Sequence, residues 1–188
     1  MRRTINMQVA APLVLVGALA AGSANAHFVP APCDFITGGG WVITDPGAKA
    51  NFGAHGGCKN GGFFGHVNVV DHNTNPPGHL RSTLITGYLF DPAFPNARDI
   101  CGVGEVSVNG GSFTARFRVR LEDNGEPGGS DRFGVRLDNG FVITTRELGP
   151  PGPSGGGGNI QLHKPNPSTT GPSPAPTETE MCAGVPTP

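Results

Sequence analysis

Phe113, Ala115, Phe117, Val119 and Leu121 alternate with Thr114, Arg116, Arg118, Arg120 and Glu122. Apolar residues at every second position predict a strand with one face on a core and a polar outer face, because side chains alternate sides along an extended chain. Phe133, Val135 and Leu137 repeat the pattern against Arg132, Arg136 and Asp138. Asp138-Asn139-Gly140 then predicts a tight hairpin turn, with Phe141 to Arg146 as the return strand. Asn109-Gly110-Gly111 is a turn of the same kind between Val103–Val108 and the first alternating run, and Asn60-Gly61-Gly62 is another. Upstream, strands are predicted over Phe35–Thr44, near Lys49–His55, over Phe63–His72 and over Leu80–Phe90, with loops at 73–78 and 91–96. A last short strand is predicted over Asn159–Lys164. No segment carries sustained helical periodicity. These elements predict an all-β fold, an antiparallel β-sandwich or open barrel of roughly nine or ten short strands. The β domain is placed at 27–164. Residues 165–188, rich in Pro, Ser and Thr and free of Lys and Arg, are predicted to be a disordered tail that Cys182 can tie back.

Residues 1–26 have a different pattern. Arg2 and Arg3 are followed by the short apolar run Ala11 to Gly22 and by the small-x-small triplet Ala24-Asn25-Ala26. This is the pattern of a secretory signal peptide cleaved after Ala26, with the arginines read as ordinary n-region charge. The apolar run is too short to span a bilayer, and no later segment is apolar enough to do so. The expected location is therefore secreted or periplasmic. Removing 1–26 from the 188 residues leaves eleven basic and fourteen acidic side chains. That mildly acidic balance argues against nucleic acid as a partner, since phosphate binding needs a concentrated basic surface.

Export gives the cysteines a reading. Cys33, Cys58, Cys101 and Cys182 all follow the cleavage site, and an even count in an oxidising compartment predicts two disulfides. Three connectivities are open. Cys58–Cys101 with Cys33–Cys182 is favoured, because Cys33 precedes the first strand and Cys182 follows the last. No CxxC pair is present, which disfavours zinc.

The segment 123–131 is the best candidate site. Asp123, Asn124, Glu126, Ser130 and Asp131 offer hard oxygens on a flexible loop, which is what calcium requires, although neither EF-hand spacing nor flanking helices are present. The competing reading is a solvated hairpin connection made of turn-forming residues. Among the histidines, His66 and His72 share a strand face but stand about 20 Å apart, whereas His55 and His66 can meet across strands as ligands of a transition metal. Arg116, Arg118, Arg120, Arg132, Arg136 and Arg146 can form a basic outer face for an anionic polymer. The acidic residues Glu122, Asp123, Glu126, Asp131, Asp138 and Glu147 in the same window favour cross-strand ion pairing instead. Trp41 and Tyr88 can stack on sugar rings, but the strand pattern assigns Trp41 to the core. There is no GxSxG elbow, no HExxH motif and no Gly-rich phosphate loop leading into a helix. A glycosidase pair drawn from one mobile turn would lack opposed geometry, so no enzyme is expected.

The segments TGGGW (37–41), KANFG (49–53), GHVNVVDH (65–72), DNGEPGGSDRFGVRLDNG (123–140) and GGGNIQLHKP (156–165) together resemble the secreted bacterial post-COAP-type β domain, over about residues 33–165. The resemblance implies an exported, non-enzymatic module and carries over no catalytic residue and no cofactor. The expected role is a non-catalytic structural or adhesive module of the cell exterior. The alternative is a binding module for envelope polysaccharide or calcium, and other exported proteins are the remaining class of partner.

Overall fold

The computed structural model describes residues 26–149, 155–165 and 170–188. The proposed leader, up to residue 25, lies outside them. Nine strands form one antiparallel sheet: β1 (Phe35–Ile43), β2 (Lys49–Lys59), β3 (Gly62–Asp71), β4 (Gly78–Asp91), β5 (Phe94–Val108), β6 (Gly111–Glu122), β7 (Arg132–Leu137), β8 (Val142–Glu147) and β9 (Gly157–His163). Their order is β8-β7-β6-β5-β4-β3-β2-β1-β9, a meander whose last strand returns to the outside of the first, and the sheet curls into a half-barrel. Two of the hairpin turns have the geometry that their sequence predicts. Asn60 and Gly61 have φ of 52° and 79°, and Asn109 and Gly110 have 52° and 80°. Two successive positive φ values match the turn twist to the strand twist, and Asn-Gly adopts them at low cost. β5 starts well before the expected Val103, because Asp91 and Phe94 pair across a two-residue turn.

The concave face holds the core. Ile36, Val42, Phe52, Val67, Ile100, Phe117, Val119, Leu121, Phe133 and Ile160 are buried together. The rings of Phe52 on β2 and Phe133 on β7 stack 4.0 Å apart between centroids, so opposite flanks of the sheet meet across the interior.

The cysteines pair as Cys33–Cys58 and Cys101–Cys182, with Cα separations of 5.8 and 5.0 Å. This corrects the favoured pairing. Phe35 lies opposite Gly57 in the β1–β2 ladder, which brings Cys33 beside Cys58. Cys101 points to the outer side of β5, where the C-terminal segment covers it.

That segment is the second correction. Residues 170–188 do not trail away from the sheet. Thr177 caps a single-turn helix, α1 (Glu178–Cys182), in a reciprocal capping box with Glu180, and Met181 and Cys182 are buried. Thr86 Oγ1 donates to the Met181 carbonyl at 2.5 Å. Gly87 clears the space for Met181, whose Cβ occupies the position a side chain there would need.

The same cover changes the outer face of β6. Arg118 and Arg120 are buried, not solvated, and so is Glu122. Asp99 accepts from Arg118 Nε at 3.0 Å and from Arg120 Nε at 2.8 Å, and Arg120 also reaches Asp91 at 2.6 Å. Arg118 donates to Glu178 of α1 at 2.6 Å, and His27 lies 3.0 Å from Asp91 and 3.1 Å from Glu178. Ion pairing across strands was expected, but here it lies beneath both ends of the described chain. Burial opposes ionisation of Asp91 and Glu178. The guanidiniums of Arg120 and Arg118 prevail, and both carboxyls sit below their ordinary values.

Candidate functional site

Among the described residues, none covers the outer face of β9-β1-β2-β3 in this way. Register places side chains there in rows across four strands. His66, His55, Thr37 and Gln161 form one row. Asn68, Gly53, Gly39 and Asn159 form the next. Val70, Asn51, Trp41 and Gly157 form the one after. Alternation explains why these residues share a face. Their neighbours Ile36, Phe52, Ala54, Val67, Val69 and Ile160 are buried on the other side.

The centre of this face is an open trough of about 660 Å³. Its floor is the pair Gly39 and Gly53, directly opposed in the ladder. These two glycines differ from their neighbours. A Cβ at Gly40 would strike the Gly157 carbonyl, one at Gly65 the His55 carbonyl and one at Gly158 the Gly39 carbonyl, so the backbone packing of the sheet requires glycine at all three. A Cβ at Gly53 would meet nothing within 4 Å, and one at Gly39 only the Phe52 carbonyl at 3.6 Å. Neither residue has a positive φ. Glycine in a strand interior weakens the strand, and it is kept where another backbone or a ligand comes close. Here, among the described residues, no backbone comes closer than ordinary contact.

The walls of the trough are hydrogen-bonding groups, with no carboxylate, lysine or arginine among them: Thr37, His55, His66, Asn68, Asn159 and Gln161. Several keep unspent capacity. The Asn68 amide oxygen accepts from His79 at 2.6 Å, which leaves its NH₂ available. Asn159 donates to Glu126 at 3.1 Å and keeps its oxygen. The Gln161 and His55 side chains make no hydrogen bond to another described residue. Partial burial and the adjacent His66 hold the His55 ring below the ordinary histidine value, which favours its neutral form.

Trp41 stands in the next row. It is half-buried on this outer face, with its indole nitrogen over Gly157 and the Lys49 ammonium 4.7 Å from its ring centroid. The expectation that Trp41 belongs to the core is thus corrected, whereas Tyr88 is fully buried. The Tyr88 hydroxyl donates to Asp34 at 2.7 Å, in a pair with Arg98. Burial, with Asp34 beside it, pushes the phenol well above its ordinary value. Tyr88 cannot reach a ligand.

In the acidic segment 123–131 close by, the carboxylate oxygens of both aspartates are engaged. Asp131 is fully buried, and its carboxylate accepts from the backbone N–H of Asn124 at 2.8 Å and of Ile160 at 2.7 Å. Asp123 accepts from Gly125 at 3.1 Å and from Leu162 at 2.7 Å. Asn124 donates to the Ser130 carbonyl at 2.8 Å. Ile160 and Leu162 are two apart on the free edge of β9, so the two aspartates satisfy the outward N–H groups of an edge strand that would otherwise be open to pairing. Asp123 and Asp131, two of the residues that suggested calcium, therefore act as a latch on β9. Among the described residues, no group of three or more His, Cys, Asp or Glu side chains is placed to hold a metal ion.

The histidines spread out, apart from one pair. His72 bonds Asn51 at 3.0 Å, and His163 stacks on Phe35 with its Nε2 2.9 Å from Thr37 Oγ1. His55 and His66 are directly opposed, with ring centroids 6.5 Å apart. Sequence reasoning identified that pair but missed the trough. Its only sequence signal is glycine at 39 and 53, and glycine is abundant along this chain.

No family model matches this chain, and neither a curated protein nor a solved structure matches it.

Proposed function

We propose that this chain is an exported, non-catalytic adhesive module whose outer trough binds a neutral polysaccharide of the cell envelope. The observation that carries this reading is the Gly39–Gly53 floor, bare of side chains where the fold does not demand it. A sugar chain laid there can approach the backbone, hydrogen-bond to the amides of Asn68, Asn159 and Gln161, and reach the Trp41 ring at one end. Aromatic faces pack on the apolar faces of pyranose rings, and walls without carboxylate, lysine or arginine suit an uncharged polymer. Export is supported by the leader pattern of 1–26 and by two disulfides, which persist in oxidising compartments. The resemblance of residues 33–165 to a post-COAP-type domain also supports a non-enzymatic exported role. No helix among the described residues is long and apolar enough to cross a membrane.

The test is co-sedimentation of the folded protein with insoluble neutral glycans and with purified cell-wall sacculi, alongside Gly53→Val. Retention of the native chain on at least one polymer, lost in the variant while its melting temperature holds, is the expected result. Equal retention of both would remove the trough from the binding surface, and no retention on any polymer would overturn the reading.

A further inference from the structure

The His55–His66 pair lies in the row beside the glycine floor and makes a separate case. His55 and His66 face each other across the β2–β3 ladder. The next pair in that ladder is Gly56 with Gly65, and Gly65 has φ of 151° and allows no Cβ against the His55 carbonyl. Glycine there lets the two backbones close at the point where the two imidazoles project outward. The rings are tilted by 45° with centroids 6.5 Å apart. Zinc sits about 2.0–2.1 Å from an imidazole nitrogen, so two rings sharing one tetrahedral ion have centroids about 5 Å apart. A modest side-chain rotation of the exposed His55 closes that gap.

His66 is already held in an orientation that suits a ligand. Its Nδ1 lies 3.1 Å from Ser82 Oγ, and Ser82 Oγ is itself fixed by the Val67 N–H at 2.9 Å. With Nδ1 hydrogen-bonded to the hydroxyl, Nε2 is left to coordinate. A metal-binding histidine typically has its other ring nitrogen anchored in this way. The His55 ring is bonded to no described residue and is free to turn. The remaining histidines are engaged elsewhere: His72 with Asn51, His79 with Asn68, His163 with Thr37 and His27 with Asp91 and Glu178.

The geometry points to His55 and His66 as the two protein ligands of a divalent transition-metal site, for ions such as zinc, nickel or copper, with water in the remaining positions. Two imidazole nitrogen donors and no carboxylate select these ions over calcium and magnesium, which prefer oxygen. The two ligands are also walls of the trough, but metal binding is measured without a glycan, so the two readings fail separately.

The test is calorimetric titration of the disulfide-bonded protein with zinc and nickel salts. It is repeated on His55→Gln, His66→Gln, Ser82→Ala and the control His72→Gln. The expected result is one bound ion, with affinity reduced about tenfold or more in each of the first two variants. Ser82→Ala loses several-fold and His72→Gln is unchanged. His55 is exposed, so its replacement leaves the fold intact, and melting curves check this. An unchanged affinity in both His55→Gln and His66→Gln, an equal loss in His72→Gln, or no binding at millimolar zinc and nickel would each overturn the site.

Discussion

The acidic loop at 123–131 and the glycine trough beside it are both rich in polar groups, but they differ in what those groups are bonded to. In the loop, both oxygens of Asp123 and of Asp131 accept backbone N–H groups, two of them from the edge of β9. In the trough, the Gln161 and His55 side chains have no partner among the described residues, and Gly39 and Gly53 leave open space above the sheet. A dense set of donors and acceptors in a sequence therefore does not by itself mark a site. The groups still available after the fold has taken its share do so, and only the register of the sheet reveals which these are.

The sharpest way to break this contrast is Asp131→Ala. Removing a fully buried carboxylate leaves the N–H groups of Asn124 and Ile160 unpaired, at a cost of about 3 kcal/mol. Thermal unfolding should show a melting temperature lower by about 6–12 °C, with β9 the first element to lose amide protection. A metal-site role for the loop would instead leave the metal-free protein nearly as stable as before.

Next in size is a comparison of neighbouring glycines. Gly40→Ala forces a Cβ into the Gly157 carbonyl between β1 and β9 and should cost about 2–3 kcal/mol in chemical denaturation. Gly53→Val adds a β-branched side chain where nothing stands and should leave stability within about 0.5 kcal/mol. Glycan retention should fall about tenfold or more in Gly53→Val, because the added side chain fills the floor. If both variants destabilised equally, the distinction between compelled and uncompelled glycines would fail.

The smallest effect concerns pH. Glu178 and Asp91 titrate below their ordinary values of 4.5 and 3.8. Each therefore contributes stability that is complete above those values and is lost as pH falls through the lower folded-state values. Glu122 has the opposite sign: burial raises its carboxyl, with Arg132 opposing, so it costs stability as pH rises above 4.5. Melting temperature should fall as the protein is acidified below about pH 4. Glu178→Gln should flatten that fall, and Glu122→Gln should leave the acid side unchanged while raising stability near neutrality.

Much of the fold was legible from period-two alternation and Asn-Gly turns, because each is a local rule. The run from Phe113 to Glu122 gave β6 its inner face correctly, with Phe117, Val119 and Leu121 buried. It gave the outer face wrongly, because whether Arg118 meets water depends on where residues 27 and 178 dock, and no local pattern encodes that. The disulfides were misassigned for the same reason. Cys33 finds Cys58 through the β1–β2 register, and Cys101 finds Cys182 through a tail whose Pro, Ser and Thr content conceals a one-turn capped helix. Trp41 was placed in the core because alternation fixes which residues share a face but not which face is inside. Gly39 and Gly53 are not distinguishable from Gly40 and Gly65 by any sequence rule, since the difference lies in what stands opposite them.

The two crosslinks also settle how the molecule would bear a pull on its ends. Tension entering on the N-terminal side of Cys33 passes from it directly to Cys58, and from Cys101 directly to Cys182. β1 and most of β2 lie inside the first bypass, and β6 to β9 lie inside the second. Between the two crosslinks, the chain from Cys58 to Cys101 can pay out under load, roughly 150 Å when fully drawn. Three of the four strands that frame the trough, β9, β1 and β2, are thus almost wholly shielded from force, while β3, β4 and the first half of β5 serve as the extensible link. A module tethered by its ends would lengthen like a shock absorber before those three strands were drawn out.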